Sequence, residues 1–355
     1  MNFPTAEPIV ATGSAYERGK TIAAAAGALK GAVGDRIRSA AEPAADELGW
    51  VEAQWQMQQK YLPEMCELMD GMAAGYGITT RQLFNRHVSY AIEDRRKAAE
   101  RGPIEECSAF AVQTERGVLV SKNRDNPPEL KPLQCLFLQS DPKWGGRRML
   151  SIGSFGSSPA ASSGINSDGL CMVDTSVRTV DVGLGVLRYY LMDAILFRCG
   201  NVAEALDLIR SMPHLGGGNL VLGDAEGHIA AIQLGHRKVA IEADPARGWV
   251  ARTNHFIDPD LAADLVSGPG TEARADSESR VAYIESRLGG GVAGWSGADC
   301  RAVLSSTGGD GYAPICRETP TTLTLSGAVF DASGREMLQS HGRPSHGDWR
   351  RTAFV

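Results

Sequence analysis

The sequence has no run of eighteen apolar residues, no Cys-x-x-Cys pair and no His-Glu-x-x-His. The first absence excludes a transmembrane helix. The other two remove the commonest local zinc patterns, so no residue is assigned to a metal. Neither GxxxxGK[ST] nor GxGxxG occurs, and the triple glycine at 216–218 leads into a strand-like run rather than a helix, which argues against a phosphate loop. Excess positive charge is also missing. The net charge is −6, so a nucleic-acid or anionic-membrane partner is not expected. The first twenty residues lack a basic region followed by an apolar one, so no signal peptide is expected. Seven scattered cysteines, an odd number, fit buried thiols in a reducing cytoplasm.

What is present is enough apolar material for a large core: 355 residues, 43% hydrophobic and 22% charged. The first hundred residues read mainly as helix. Leu62, Met65, Met69 and Met72 form one apolar stripe, Gly75 and Gly77 end it, and Thr79-Thr80 cap a next helix running to Arg95. Ala98 to Glu106, with Gly102-Pro103, reads as a surface loop. Strand-like runs then begin: 108–114 and 118–122, followed by 133–138, 149–153 and 170–174. Helices are expected at 187–199 and at 202–210, the second capped by Asn201. A hairpin at 219–234, a strand at 249–256, a helix at 273–288 and a hairpin at 321–339 complete the order. Helices, strands, helices and strands in this sequence predict an α+β layered architecture of antiparallel sheets with helices outside them.

The first hairpin brings chemistry together. A three-residue loop at 115–117 pairs Thr114 with Val118 and carries Cys107 opposite Asp125; a loop one residue shorter or longer moves the partner to a neighbour of Asp125. Opposed residues lie about 4.5–5.5 Å apart at Cβ. A thiol, a carboxylate and two cations, Lys122 and Arg124, are thereby gathered, although alternation keeps Lys122 and Arg124 off the face of Asp125. Nearby positive charge favours the thiolate, the nucleophilic form. Two bases are open at this point. One is a distant histidine such as His255, in a Cys-His arrangement. The other is the α-amine of Cys107 itself, whose pKa of about 7.7–8.0 suits proton transfer near neutrality; it requires a cut between Glu106 and Cys107.

These residues resemble a known family. CSAFA at 107–111 followed by KNRD at 122–125 is similar to the start of the catalytic chain in N-terminal nucleophile hydrolases of the acyl-coenzyme A:6-aminopenicillanic acid acyltransferase type, a group related to choloylglycine hydrolases and acid ceramidase. GSAYERGKTIA at 13–23, GINSDGL at 164–170, GGGNLVLGDAEGHIAAIQ at 216–233, RTNHF at 252–256 and PICR at 314–317 match further segments in order. The resemblance implies a four-layer αββα sandwich made as an inactive precursor. Self-cleavage would leave a helical segment of residues 1–106 and a catalytic segment of 107–355, together one domain.

It also implies roles. Cys107 is the nucleophile and its freed amine the base. Asp125 holds that amine, Asn254 donates to the oxyanion, Asn166 stands near the scissile carbonyl, and Arg317 organises the site by holding Asp125 or a substrate carboxylate. Two positions depart from the pattern. Lys122 stands where the bile-salt branch has arginine, and Arg124 stands where relatives often carry a large apolar residue. Both are candidate substrate contacts, with Arg124 turning the pocket towards an acidic or polar acyl group. The implied activity is hydrolysis of a linear carbon–nitrogen amide in a small N-acylated compound without a cofactor. Transfer from acyl-coenzyme A to an amine is the alternative, and a non-catalytic member of the fold a remoter one. The oligomeric state is not encoded in any motif.

Overall fold

The computed structural model describes residues 7–40, 42–96, 106–267 and 270–354. The loop expected at 98–106 lies outside them except for Glu106. Five helices come first: α1 (Ala15–Ala25), α2 (Lys30–Arg38), α3 (Leu48–Tyr61), α4 (Pro63–Tyr76) and α5 (Thr80–Arg95). A short strand, β1 (Ile9–Thr12), precedes them. Then come β2 (Ser108–Thr114), β3 (Gly117–Asn126), β4 (Gln134–Ser140), β5 (Arg148–Ser154), β6 (Ser163–Asn166) and β7 (Cys171–Thr175). Helices α6 (Arg188–Arg198) and α7 (Val202–Arg210) lead to β8 (Asn219–Gly223), β9 (Ile229–Leu234), β10 (Val239–Glu242) and β11 (Trp249–Arg252). The chain closes with α8 (Pro259–Ala262), α9 (Glu272–Leu288), α10 (Gly297–Leu304), β12 (Leu323–Asp331), β13 (Glu336–Ser340) and β14 (Trp349–Ala353).

The strands form an eight-stranded sheet, β1-β4-β5-β6-β7-β8-β9-β10, and a six-stranded sheet, β11-β2-β3-β12-β13-β14. Pairing is antiparallel except between β1 and β4. Three apolar cores separate four layers. Ile22, Met69, Phe84, Phe137 and Leu191 pack the early helices and α6 on the larger sheet. Val118, Val120, Leu136, Ile152 and Val173 fill the space between the sheets. Phe110, Val112, Ile284, Leu288 and Val303 join the smaller sheet to α9 and α10. The protein is an α+β sandwich with helices on both outer faces.

The alternation of β2 and β3 decides where the chemistry points. Ala109, Ala111, Val118 and Val120 face the other sheet, whereas Phe110, Val112 and Leu119 face α9 and α10. Continued along β3, Lys122 and Arg124 belong to the inter-sheet face and Asn123 and Asp125 to the helix face. Their contacts agree: Asn123 Nδ2 donates to Leu304 O and Ile315 O, while Arg124 Nη1 donates to Gln134 Oε1 and Gly153 O of the larger sheet.

The hairpin is one residue tighter than the sequence reading. Thr114 pairs with Gly117 across a two-residue loop, Glu115-Arg116. Gly117 has φ +122°, where a side chain is disfavoured, and a Cβ there would lie 2.2 Å from Ser333 Oγ. The last pair at the open end is Ser108 with Asn123, so one further step sets Cys107 across from Arg124 rather than Asp125.

Candidate active site

Cys107 directly precedes β2 and is 1% exposed; the chain is continuous from Glu106 into it. Its backbone is held by Arg280 of α9. Arg280 Nη1 donates to Glu106 O at 3.0 Å, Cys107 O at 2.8 Å and Ser108 Oγ at 3.1 Å. Its Nη2 donates to Asn254 Oδ1 at 3.0 Å. One turn back on α9, Asp276 accepts from Arg280 Nε at 2.9 Å and from Arg317 Nη1 at 2.9 and 2.7 Å. The Nε of Arg317 lies 2.8 Å from Glu106 Oε2, a close ion pair without hydrogen-bond alignment. Burial opposes ionisation of Asp276, but Arg280 and Arg317 outweigh it and hold the carboxyl below its ordinary value. Two arginines and two carboxylates thus clamp the Glu106–Cys107 peptide.

Arg317 is at the site, but its partners are Asp276 and Glu106 rather than Asp125. Asp125 lies within electrostatic reach of Arg280, Arg317 and Glu106. Its Oδ1 accepts from Thr324 Oγ1 at 2.5 Å, and its Oδ2 is buried with no hydrogen-bond partner. A register shift between Thr324 and Ser326 on β12 breaks the ladder beside it. Burial pushes the Asp125 carboxyl up to about 7, against the pull of Thr324 and the two arginines.

Asn254 and His255 follow β11. The strand expected to reach Phe256 ends at Arg252 because the chain turns onto Ser277 of α9. Thr253 Oγ1 donates to Ser277 O, Asn254 N to Ser277 Oγ, and His255 Nδ1 lies 2.8 Å from that hydroxyl. Burial lowers the His255 pKa to about 4, so the ring is neutral near pH 7. The Nδ2 of Asn254 donates to Ser176 O at 2.8 Å.

Two sequence candidates stand elsewhere. Asn166 is fully buried at the end of β6. Its Nδ2 donates to Leu196 O and Cys199 O, and its Oδ1 accepts from the Asp168 and Leu170 N–H groups. The whole amide is consumed in closing the turn into β7. Lys122, 3% exposed, spends its ammonium between the sheets on Asp174 and Ser162 O, and Arg188 binds the other oxygen of Asp174. That buried charge cluster is structural, so Lys122 is not presented to a substrate. Arg124, 7% exposed, does reach open space.

The space is a cavity of about 390 Å³. Glu106, Arg124, Asn254 and Arg280 line it from the side of the Glu106–Cys107 peptide, and Val33, Arg36, Arg86 and Tyr90 line it from α2 and α5. Sequence reading missed Asp276 and Arg280. Their only signal is Asp-x-x-x-Arg spacing on a helix, which also describes an ordinary surface pair.

A family model for acyl-coenzyme A:6-aminopenicillanic acid acyl-transferase matches residues 112–293, a span that holds Asp125, Asn254, Asp276 and Arg280. No curated protein matches the chain in sequence. Among solved structures it is similar to two variants of the conjugated bile acid hydrolase of Clostridium perfringens. Both are 12% identical, with 70% of this chain and 97% of that chain covered and TM-scores of 0.44 and 0.48. It is also similar to penicillin V acylase from Agrobacterium tumefaciens, at 16% identity, 66% and 82% coverage and a TM-score of 0.45. With more than half of its residues under the family model, the chain belongs to the acyl-coenzyme A:6-aminopenicillanic acid acyl-transferase family.

Proposed function

We propose that the protein is a self-processing cysteine amidohydrolase of the N-terminal nucleophile type. The observation that carries the reading is Asp125: a fully buried carboxylate with one oxygen unpaired, beside the clamped Glu106–Cys107 peptide. A buried acceptor without a donor is costly. A new α-ammonium on Cys107 would supply both the donor and the charge, and would draw the Asp125 carboxyl back down from about 7.

The first reaction would be on the chain itself. Cys107 Sγ attacks the Glu106 carbonyl carbon, and Arg280 Nη1, already donating to that oxygen at 3.0 Å, stabilises the developing oxyanion. The carbon–nitrogen bond breaks as the proton given up by the thiol passes to the Cys107 nitrogen, which leaves as the free amine. Water then hydrolyses the thioester, releasing the Glu106 carboxylate and restoring the thiol. In turnover the free amine takes the thiol proton and the thiolate attacks a substrate amide. Asn254 Nδ2, exchanging Ser176 O for the oxyanion, donates to the intermediate. The amine product leaves with the proton returned from Cys107, and water completes the cycle. Hydrolysis is preferred to acyl transfer because it needs no second acceptor site, and a cavity of about 390 Å³ is at the small end for ligand pockets.

Mass spectrometry of the purified protein tests this. Two fragments are expected, the larger beginning at Cys107, and one uncut chain for Cys107→Ala. Arg280→Gln should slow fragment appearance by roughly 10²-fold, the usual loss for one oxyanion donor. An intact wild-type chain that still hydrolyses amides, with activity abolished by His255→Ala, would replace this reading with a Cys-His enzyme.

A further inference from the structure

The arginines lining the cavity fall into two groups. Arg178, Arg274 and Arg280 are each paired with a carboxylate: Asp94, Glu278 and Asp276. Arg36, Arg86 and Arg124 have no carboxylate within ion-pair distance among the described residues. Arg124 is the sharpest case. It is 7% exposed, its Nη1 serves two neutral acceptors, Gln134 Oε1 and Gly153 O, and it faces the cavity. A guanidinium cannot shed its proton, so a buried one without a counter-ion keeps its full desolvation cost.

Arg36 and Arg86 stand on α2 and α5 across the same space. They are near enough that, after burial, the charge of Arg86 is the main force lowering the pKa of Arg36, against a smaller opposing pull from Glu129. Glu106, the acid nearest the clamped peptide, is already paired with Arg317. Between the charges the wall is apolar, with Val33, Ile37, Leu133 and Phe155. Six arginines line the cavity against four acids, Glu93, Asp94, Glu106 and Glu129, so apolar wall stands beside a modest excess of positive charge.

We infer that this cavity binds the acyl half of the substrate, and that the acyl group is a short aliphatic chain ending in a carboxylate. This rests on the reading of Cys107 as the nucleophile. The acyl half is assigned because the β2–β3 register, continued one step, sets Arg124 across from Cys107. An acyl chain bonded to Sγ starts beside Arg124 and extends towards Arg36 and Arg86. A carboxylate fits the planar guanidinium fork in two parallel hydrogen bonds. The methylenes lie against Leu133 and Phe155. The preferred substrate is then a mono-amide of a dicarboxylic acid.

Two assays separate this inference from the reading beneath it. In the first, release of p-nitroaniline is compared for the glutaryl and pentanoyl anilides, which share a five-carbon chain and a leaving group. The glutaryl compound should lead in kcat/KM by roughly 10²-fold or more, because a site built for a polar group discriminates strongly against its absence. Arg124→Met should cut that ratio at least tenfold. A processed, active enzyme that prefers the pentanoyl anilide would overturn the inference and leave the hydrolase reading intact.

The second assay needs no turnover. Calorimetry on uncut Cys107→Ala, which keeps the cavity as described, measures binding of the mono-ethylamide of glutaric acid, N-ethylpentanamide and inorganic pyrophosphate. The acid should bind at least tenfold tighter than the neutral amide, and Arg36→Gln or Arg86→Gln, both on half-exposed helix positions outside the sheet, should each weaken it several-fold. If wild type is uncut and hydrolyses nothing, this assay still decides the inference. Equal binding of acid and neutral amide, no effect of any arginine variant, or tighter binding of pyrophosphate would each overturn it.

Discussion

Asp125 and Arg280 show how burial at one site leaves one charged side chain fully partnered and another short of a partner. Arg280 is 1% exposed, yet its guanidinium has acceptors in Asp276, Asn254 and three groups of residues 106–108. Asp125 has one donor and one empty oxygen, and its carboxyl rises to about 7 through burial. The linkage sign follows. Between roughly pH 4 and 7 the folded uncut chain holds a proton on Asp125 that the unfolded chain has lost. Stability therefore falls as pH rises through that window, by at most about 1.4 kcal/mol per pH unit for one group. Asp193, also raised to about 7 by burial, acts in the same direction. In a Cys107→Ala background, Asp125→Asn should flatten the decline without abolishing it, read from urea unfolding at pH 5 and pH 7. Parallel curves for the two proteins would show that Asp125 is ionised in the uncut fold.

At this scale the sequence was legible where local geometry decides and opaque where distant packing does. The hairpin brought Asp125 and Cys107 into one neighbourhood even with its loop counted one residue too long. Asn166 was legible as a turn former, but nothing local reveals that Leu196 O and Cys199 O take up its amide. Arg280 was invisible for the converse reason: only the docking of α9 on β2 and β11 makes it buried.

Among the elements, those with strong period or cap signals emerged almost unchanged. β2 and α7 have the expected bounds, and α5 opens on the expected Thr79 cap, with Gln82 completing a capping box. The strands not foreseen, β1, β6, β10 and β14, are only four or five residues long, and their formation depends on the neighbours they pair with. The α1–α4 contact was equally hidden. It is made by glycines inside the two helices. A Cβ on Gly71 would lie 2.1 Å from Tyr16 O, and one on Gly19 would lie 2.2 Å from Leu68 O, so the backbones touch. Gly71→Ala gains about 1 kcal/mol of helix propensity but forces the helices apart. A net loss of about 1–3 kcal/mol is expected in urea unfolding; an unchanged or higher midpoint would show that the helices separate freely.

On the scale of the whole molecule, the proposed cut does not divide two independent bodies. The early helices share one apolar core with the larger sheet, through Ile22, Met69 and Phe84 on one side and Phe137 and Ile232 on the other. Burial on this scale greatly outweighs the loss of one peptide bond. The two fragments should therefore co-elute at native molecular weight in size exclusion and separate only in denaturant. Elution of the 1–106 fragment by itself would contradict this. No helix among the described residues is long and apolar enough to cross a membrane.

The cavity wall carries a further consequence. Arg36 and Arg86 lie before the bond proposed to be cut, and Arg124, Asn254 and Arg280 after it. On the proposed cut, the pocket wall would be shared between two polypeptides, the first carrying Arg36 and Arg86 and the second carrying Arg124 together with the nucleophile. Substitutions at Arg36 and Arg86 would then retune the far end of the pocket without touching the proposed nucleophile, while Arg124 would tie the near end to the piece that carries it.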